Sequence, residues 1–299
     1  MGSITASRID HITIILSEEE FETLPPWLSE NFTIIEGGKH TGQASQLKLI
    51  IFEDGTYLEL FNWWGPPPSN HSWGRKEPGL IDWSISCTSA QSRDEHYHGI
   101  DMRVNESQDG DGGLGVRYPI PTSQGRTTPE GKKFHWTRAN PEFHDAANTP
   151  DAGKFFRTGR LDAPFLCYDG TPRETRLRFG DPSRTTHPCG ATGVDQIEVL
   201  VPSSHEANYL KLLANFTATQ PGASESGIGS VFKLGLPVEG EGSECTVWVH
   251  GERGAEDKQW LASRGIGPIK LKLRAKGREG HGEEVLGSEG SASHVSLIW

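Results

Sequence analysis

The stretch RIDHITIIL, residues 8–16, is rich in β-branched residues and reads as a strand, yet it holds a titratable ring, His11, between isoleucines. A helix signal follows it. Ser17 and Glu20 have capping-box spacing, and Phe21, Leu24 and Leu28 keep helical spacing after them. Pro25-Pro26 predicts a break and a fresh start midway, with the end at NFT, 31–33. The same order returns downstream. GVDQIEVLV (193–201) precedes Ser203 and Glu206, again spaced as a capping box, then apolar Tyr209, Leu210 and Leu213, then NFT at 215–217. A fainter copy is LIDWSISCT (80–88), with a polar, poorly patterned helix after it. A recurring unit of this kind points to a fold assembled from repeated supersecondary pieces.

Three strand-like runs follow each start. After the first come FTIIEG (32–37), QLKLIIFED (46–54) and TYLELFNW (56–63), the last two joined by an Asp-Gly hairpin turn. The middle copy supplies LGVRYPI (114–120), KKFHWTRA (132–139) and APFLCYD (163–169); the last supplies GSVFKLGL (229–236), SECTVWVH (243–250) and PIKLKLRA (268–275). Each unit therefore reads β-α-β-β-β, an α+β pattern, and SHVSLIW (293–299) reads as one extra strand. The expected organisation is a domain over residues 1–178, with modules at 8–63 and 79–170, and a third module over 187–299 packed on it. His11, Trp83 and Gln196 align in the first strands; Cys167 and Leu271 fall near the position of Glu59.

Composition narrows the partners. The chain has 299 residues and a formal charge of −11, which argues against nucleic acid and anionic membrane as partners. No apolar run reaches spanning length, and MGSITASRIDH has no signal-peptide core, so a soluble cytoplasmic protein is expected. Cys87, Cys167, Cys189 and Cys245 show no C-x-x-C spacing, and the four N-x-S/T sequons, without a secretion signal, read as chance. GDGGLG (110–115) follows no strand and opens no helix, and there is no G-x-S-x-G elbow.

Tandem βαβββ units with IDHITI (9–14), GTYLELF (55–61), PFLCYDGTPR (164–173) and HPCGATGV (187–194) resemble the vicinal oxygen chelate superfamily, and more narrowly its glyoxalase-like domain proteins, including members from filamentous fungi. The resemblance covers the first two units and the start of the third. It implies that two units pair into a curved, partly open β-barrel, with ligands from the first and fourth strands of each unit facing one cavity that often holds a divalent metal. It also implies isomerase, lyase, ring-opening or dioxygenase chemistry, or drug binding without catalysis. Pairing of the third unit with a second chain, as in a homodimer, is left open.

Within that frame His11 and Glu59 are the leading pair, as acid–base groups or as ligands for Zn, Mn, Fe, Ni or Mg. By period alone Glu59 faces solvent and Leu58 and Leu60 the core; the resemblance places Glu59 in the cavity. His187 is the candidate third ligand, with His135 behind it. Arg173 is either an anion clamp or a partner of Asp169 that only fixes its loop. Arg176, Trp63, Trp83 and Tyr168 are candidate substrate contacts, and an aromatic lining implies a small oxygenated, aromatic or polyketide-like molecule. The aligned Trp83 cannot bind metal, so the four-ligand pattern is incomplete. The expected function is an enzyme of this superfamily acting on a small molecule with metal or acid–base assistance, or else a protein of the same fold that only sequesters such a molecule.

Overall fold

A computed structural model describes residues 7–67, 71, 73–74, 76–88, 92–143, 163–224, 226–238, 244–287 and 294–299. The first unit is β1 (Ser7–Ile15), helices α1 (Glu18–Glu22) and α2 (Pro26–Ser29), then β2 (Ile35–His40), β3 (Ser45–Ile51) and β4 (Tyr57–Trp63). Ser17 and Glu20 make the capping box, and Pro26 takes the first position of α2, where its missing N–H costs nothing. The second unit is β5 (Gly79–Cys87), α3 (Arg93–Ile100), β6 (Val116–Arg117), β7 (Thr122–Thr127), β8 (Lys133–Ala139), β9 (Glu142–Phe143) and β10 (Phe165–Asp169). Short helices α4 (Arg173–Leu177) and α5 (Pro182–Thr185) lead to β11 (Ala191–Val201) and α6 (Glu206–Thr217). Then come β12 (Gly222–Ala223), β13 (Ser230–Gly235), β14 (Glu244–Gly251), α7 (Ala255–Arg264), β15 (Gly267–Ala275), β16 (Glu283–Val285) and β17 (His294–Ile298).

Strands β1-β4-β3-β2-β7-β8-β10-β5 pair in that order, and β5 pairs back onto β1, closing an eight-stranded barrel. The fold is of the glyoxalase-like kind. The remaining strands extend the sheet from β1 through β13, in the order β13-β14-β11-β15-β17-β16, without closing. Alternation along β1 divides its side chains between two cores. Ile9, Ile12 and Ile14 join the large core that also holds Tyr209 and Phe216 of α6, whereas Ile15 joins Phe61, Trp73, Ile81, Phe165 and Cys167 inside the barrel.

Three expectations change. LGVRYPI is not the second strand of the middle unit: among the described residues β6 pairs only with β9, and the barrel takes the polar TSQGRT of β7 instead. PIKLKLRA does not end the third unit. β15 runs antiparallel to β11 as β5 does to β1, so it opens a fourth, shortened unit completed by β16 and β17. Ser203 forms no side-chain cap; Ser203–His205 is a 3-10 turn, and its backbone N–H binds Glu252. His96, in the capped helix α3, is buried against Ser7 and Tyr168. Among the described residues no helix is long and apolar enough to cross a membrane.

The two barrel units meet at two seams, β1 against β5 and β2 against β7, and the second rests on Gly38. This residue follows a bulge in β2, has φ +97°, and a Cβ there would lie 2.0 Å from the Thr127 carbonyl oxygen. Gly38→Ala is expected to destabilise the protein by more than about 1 kcal/mol, beyond an ordinary glycine replacement at an open turn. Urea unfolding beside Gly42→Ala, a site with positive φ but nothing near it, checks this.

Candidate active site

The site begins with an extra residue. Opposite β5, the pairing of β1 skips from Ile9↔Ile85 to His11↔Ser84, so Asp10 is a bulge and both Asp10 and His11 turn into the barrel. β5 skips at Ile81 in the same way, and the pair Ile12↔Trp83 marks the local twofold axis. Under that symmetry His11 corresponds to Asp82, and Ile12 to Trp83. The alignment of Trp83 with His11 is therefore one residue out: Trp83 packs in the large core with Ile12. The pairs Thr13↔Glu59 and Ser84↔Phe165 likewise make Phe165, not Cys167, the counterpart of Glu59. In the third unit Gln196 pairs with Thr246 as His11 pairs with Tyr57, which puts Trp248 rather than Leu271 at the Glu59 position.

Asp10 is fully buried, and Arg173 neutralises it. The Arg173 Nη1 donates to the Asp10 carboxylate, Nη2 donates to the Asp10 carbonyl at 2.9 Å and to the Gly55 carbonyl at 2.7 Å, and Nε also reaches Gly55. Asp169 is 3.3 Å from the same Nη1. Arg173 is thus a strut between α4, β1 and the β3–β4 turn, with its donors occupied, and not an anion clamp. Arg176, one turn along α4, binds Asp169 and donates to the Tyr57 hydroxyl at 3.1 Å, and its guanidinium lines the cavity.

His11 Nδ1 lies 2.7 Å from both Asp10 Oδ2 and Ser84 Oγ, and its Nε2 is 3.3 Å from Glu59 Oε2. Its ring stacks on Tyr57 with centroids 4.6 Å apart. Burial works against a charge on His11, but hydrogen bonds to Asp10 and Glu59 outweigh it and raise its pKa. Glu59 also points inward, which settles its orientation: Leu58 and Leu60 join the large core. On its other side His40 Nε2 is 3.6 Å from Glu59 Oε1, and His40 Nδ1 is 2.9 Å from Ser45 Oγ. Burial lowers the pKa of His40 to about 4, helped by the charges of Arg138 and Arg126 and opposed by Glu59. Burial opposes ionisation of Glu59, yet the His11 hydrogen bond and the two imidazoles bring it down to about 2. One carboxylate therefore lies between an imidazole whose pKa is raised and one whose pKa is lowered.

Arg126, Trp136, Arg138, Phe165 and Cys167 complete the wall of the cavity around them. Trp63 packs against Phe61 at the end of the barrel interior but does not line this space. Tyr168 faces the opposite way, its hydroxyl 2.8 Å from His96 Nδ1. His187 is far from the site. Its Nδ1 accepts from the Thr33 N–H at 3.1 Å, its Nε2 donates to the Ile51 carbonyl at 3.0 Å, and it packs between Phe32 and Phe52. It ties the linker to the first unit and is no metal ligand. His40, Arg126 and Arg138 carried no motif; only their place on inward-facing strand positions reveals them.

The four inner positions that would hold an ion in this fold are His11, Glu59, Asp82 and Phe165. Phe165 offers no donor, Asp82 is engaged by the Trp73 indole at 2.8 Å, and three guanidinium groups share the space. Donor atoms of Asp10, His11 and Cys167 do lie within 4.8 Å of one another. There the Asp10 carboxylate already serves Arg173 and His11, and burial pushes the Cys167 thiol well up. The first set lacks a donor at Phe165, and the second could hold a divalent ion only by dismantling the Asp10–Arg173 pair.

Residues 9–266 match the glyoxalase-like domain. The chain belongs to the glyoxalase-like domain family. That assignment, with the paired-unit barrel, places it in the vicinal oxygen chelate superfamily. A hypothetical protein from Staphylococcus aureus of known structure is similar over 97% of this chain and 98% of its own, at 10% identity and a TM-score of 0.63. A mutant of 4-hydroxymandelate synthase from Streptomyces coelicolor matches over 91% of this chain and 72% of its own, at 12% identity and a TM-score of 0.50. Both likenesses concern the fold. No curated protein matches the chain.

Two predictions follow from the charges. Arg173→Met strands a buried carboxylate and is expected to cost about 3–5 kcal/mol by chemical denaturation. The second concerns pH. An unfolded histidine takes up its proton near 6.5, whereas folded His40 resists protonation until about 4, so the unfolded chain binds more protons in that window. Stability should fall as pH drops from 6.5 towards 4, and Glu59 extends the loss below 4.5 towards 2. His11, with its raised pKa, contributes stability that is complete below 6.5 and lost at higher pH, so it does not mask the acid limb. Urea midpoints between pH 6.5 and 4.5 should decline in the wild type and much less in His40→Asn.

Proposed function

We propose that the chain is an enzyme of the vicinal oxygen chelate type that moves a proton on a small oxygenated organic molecule, using His11, Glu59 and His40. The observation that carries this reading is the position of Glu59 inside a closed barrel between His11 Nε2 at 3.3 Å and His40 Nε2 at 3.6 Å, with the pKa of the first ring raised and that of the second lowered. Environments that push neighbouring titratable groups apart in pKa are the usual arrangement for separate acid and base roles. Here the His11 imidazolium, oriented by Asp10 and Ser84, donates from Nε2 to a carbonyl oxygen of the substrate. Glu59 accepts the proton from the adjacent carbon. Glu59 is a weak base while His11 is charged and a stronger one as that proton leaves, so the two transfers assist each other. His40, 3.6 Å from the far oxygen of Glu59, passes the accepted proton onward. The resulting enol or enolate is the common first intermediate of isomerisation, of carbon–carbon cleavage and of ring opening.

The test is deuterium wash-in. Small ketones and 2-oxo acids are incubated with the protein in D2O, and loss of the α-proton signal is followed by NMR. The wild type should exchange at least one member of the panel above the buffer rate, and Glu59→Gln should lower that rate on the order of 10²–10⁴-fold. Binding without exchange or other turnover across the panel would instead favour a protein that sequesters its ligand. Exchange that survives in Glu59→Gln would remove the role given to this carboxylate.

A further inference from the structure

The charge of the barrel interior does not balance around Arg126. This side chain springs from β7, is only 4% exposed, and lines the same cavity as Glu59. Its Nη1 donates to the Gly37 carbonyl of β2, and its guanidinium lies 5.2 Å from the Phe134 ring centroid. Among the described residues no carboxylate comes within ion-pair distance of it. The neighbouring charges differ in this respect. Arg173 has Asp10, Arg176 has Asp169, and Glu59, which lines the cavity, faces His11 and His40. A second guanidinium, Arg138, lies over the faces of Phe165 and Trp73 at 3.9 and 4.3 Å. Burying a guanidinium without a counter-charge costs several kcal/mol, and a fold keeps one at a concave site when something bound there repays it.

We infer that Arg126 is an anchor for an anionic group of the ligand, so that the natural substrate is a small carboxylate or chemically equivalent oxyanion bearing a planar, unsaturated body. This rests on the reading of the barrel cavity as the substrate site and specifies what enters it. A guanidinium fork matches a carboxylate through two parallel hydrogen bonds, and Arg126 lines the cavity with Nη1 given to Gly37 and no hydrogen bond from its other nitrogens among the described residues. Trp136 provides an aromatic wall for the body of the molecule, beside the rings of Phe165 and Tyr57 on which Arg138 and His11 already lie. The geometry also separates the functions. The anion is held from β7, and the acid–base groups come from β1, β2 and β4, so the reacting carbon lies between them. A bound anion would also relieve the positive field that helps keep His40 neutral, which makes that ring a better proton acceptor once substrate is present.

The experiment compares benzoate with benzamide, a neutral molecule of the same shape, by calorimetry or tryptophan fluorescence on the full chain at low salt. Benzoate is expected to bind at least about tenfold more tightly, with added chloride weakening it. Arg126→Gln should remove that preference, and Arg126→Lys, which keeps the charge and loses the fork, should fall between. Equal binding of the two probes, binding of neither, or a preference that survives in Arg126→Gln would each overturn the inference. Should Arg126→Gln fail to fold by circular dichroism, the wild-type probe comparison and the lysine variant still decide it. Turnover is not read, so the outcome is independent of the proton-transfer reading: Glu59→Gln should keep the benzoate preference even if no exchange is ever found.

Discussion

A carboxylate buried inside a β-barrel needs a partner, and the partnership of Asp10 with Arg173 organises everything near the site. Leaving Asp10 unpaired there would cost several kcal/mol, more than a single strand pairing supplies. The bulge that turns Asp10 inward brings His11 with it, and the same carboxylate orients the His11 ring and helps raise its pKa. Arg173 draws α4 onto the barrel end and fixes the β3–β4 turn through Gly55, from which the strand bearing Tyr57 and Glu59 departs. A structural ion pair and the proposed site are therefore one construction, with Arg173 holding Asp10 and Asp10 orienting His11.

The repeat RIDHITIIL, LIDWSISCT, GVDQIEVLV made the repeated-unit architecture legible, because strand, cap and helix recur in order. It hid the register. Bulges at Asp10 and Ile81 occupy symmetry-related places, but the matching letters IDH and IDW are displaced by one residue from the structural equivalence. In a strand a slip of one reverses every side chain. That is why Trp83, placed in the cavity by letters, is in the helical core, and Tyr168 is displaced from the site by the same alternation. Arg173 and His187 look like functional residues in one dimension because they stand beside family motifs, and both turn out to fix chain segments. The reverse holds for His40, Arg126 and Arg138. They sit in polar strands whose only distinguishing feature is that a barrel closes around them.

Closure is what makes these polar strands matter. In an open sheet the inner faces of β2, β7 and β8 would be a solvated surface, where exposed charges interact weakly. Inside the barrel the same groups are desolvated, and their pKa values spread apart. The second half of the chain gives the contrast: its third unit pairs with a shortened fourth, the sheet stays open, and Gln196 and Trp248 stand where His11 and Glu59 do in the first. Within the barrel, Phe165 replaces a donor at the fourth inner position and guanidinium groups crowd the space, so the first unit carries the polar chemistry and the second supplies positive charge and aromatic walls.

The central claim is that Glu59 separates a charged imidazole from a neutral one. The ¹⁵N chemical shifts of the His11 and His40 rings at pH 7, assigned through His11→Asn and His40→Asn, measure it directly. Two protonated nitrogens on His11 and a single protonated nitrogen on His40 are the predicted result. Two neutral rings, or the reversed assignment, would contradict the account.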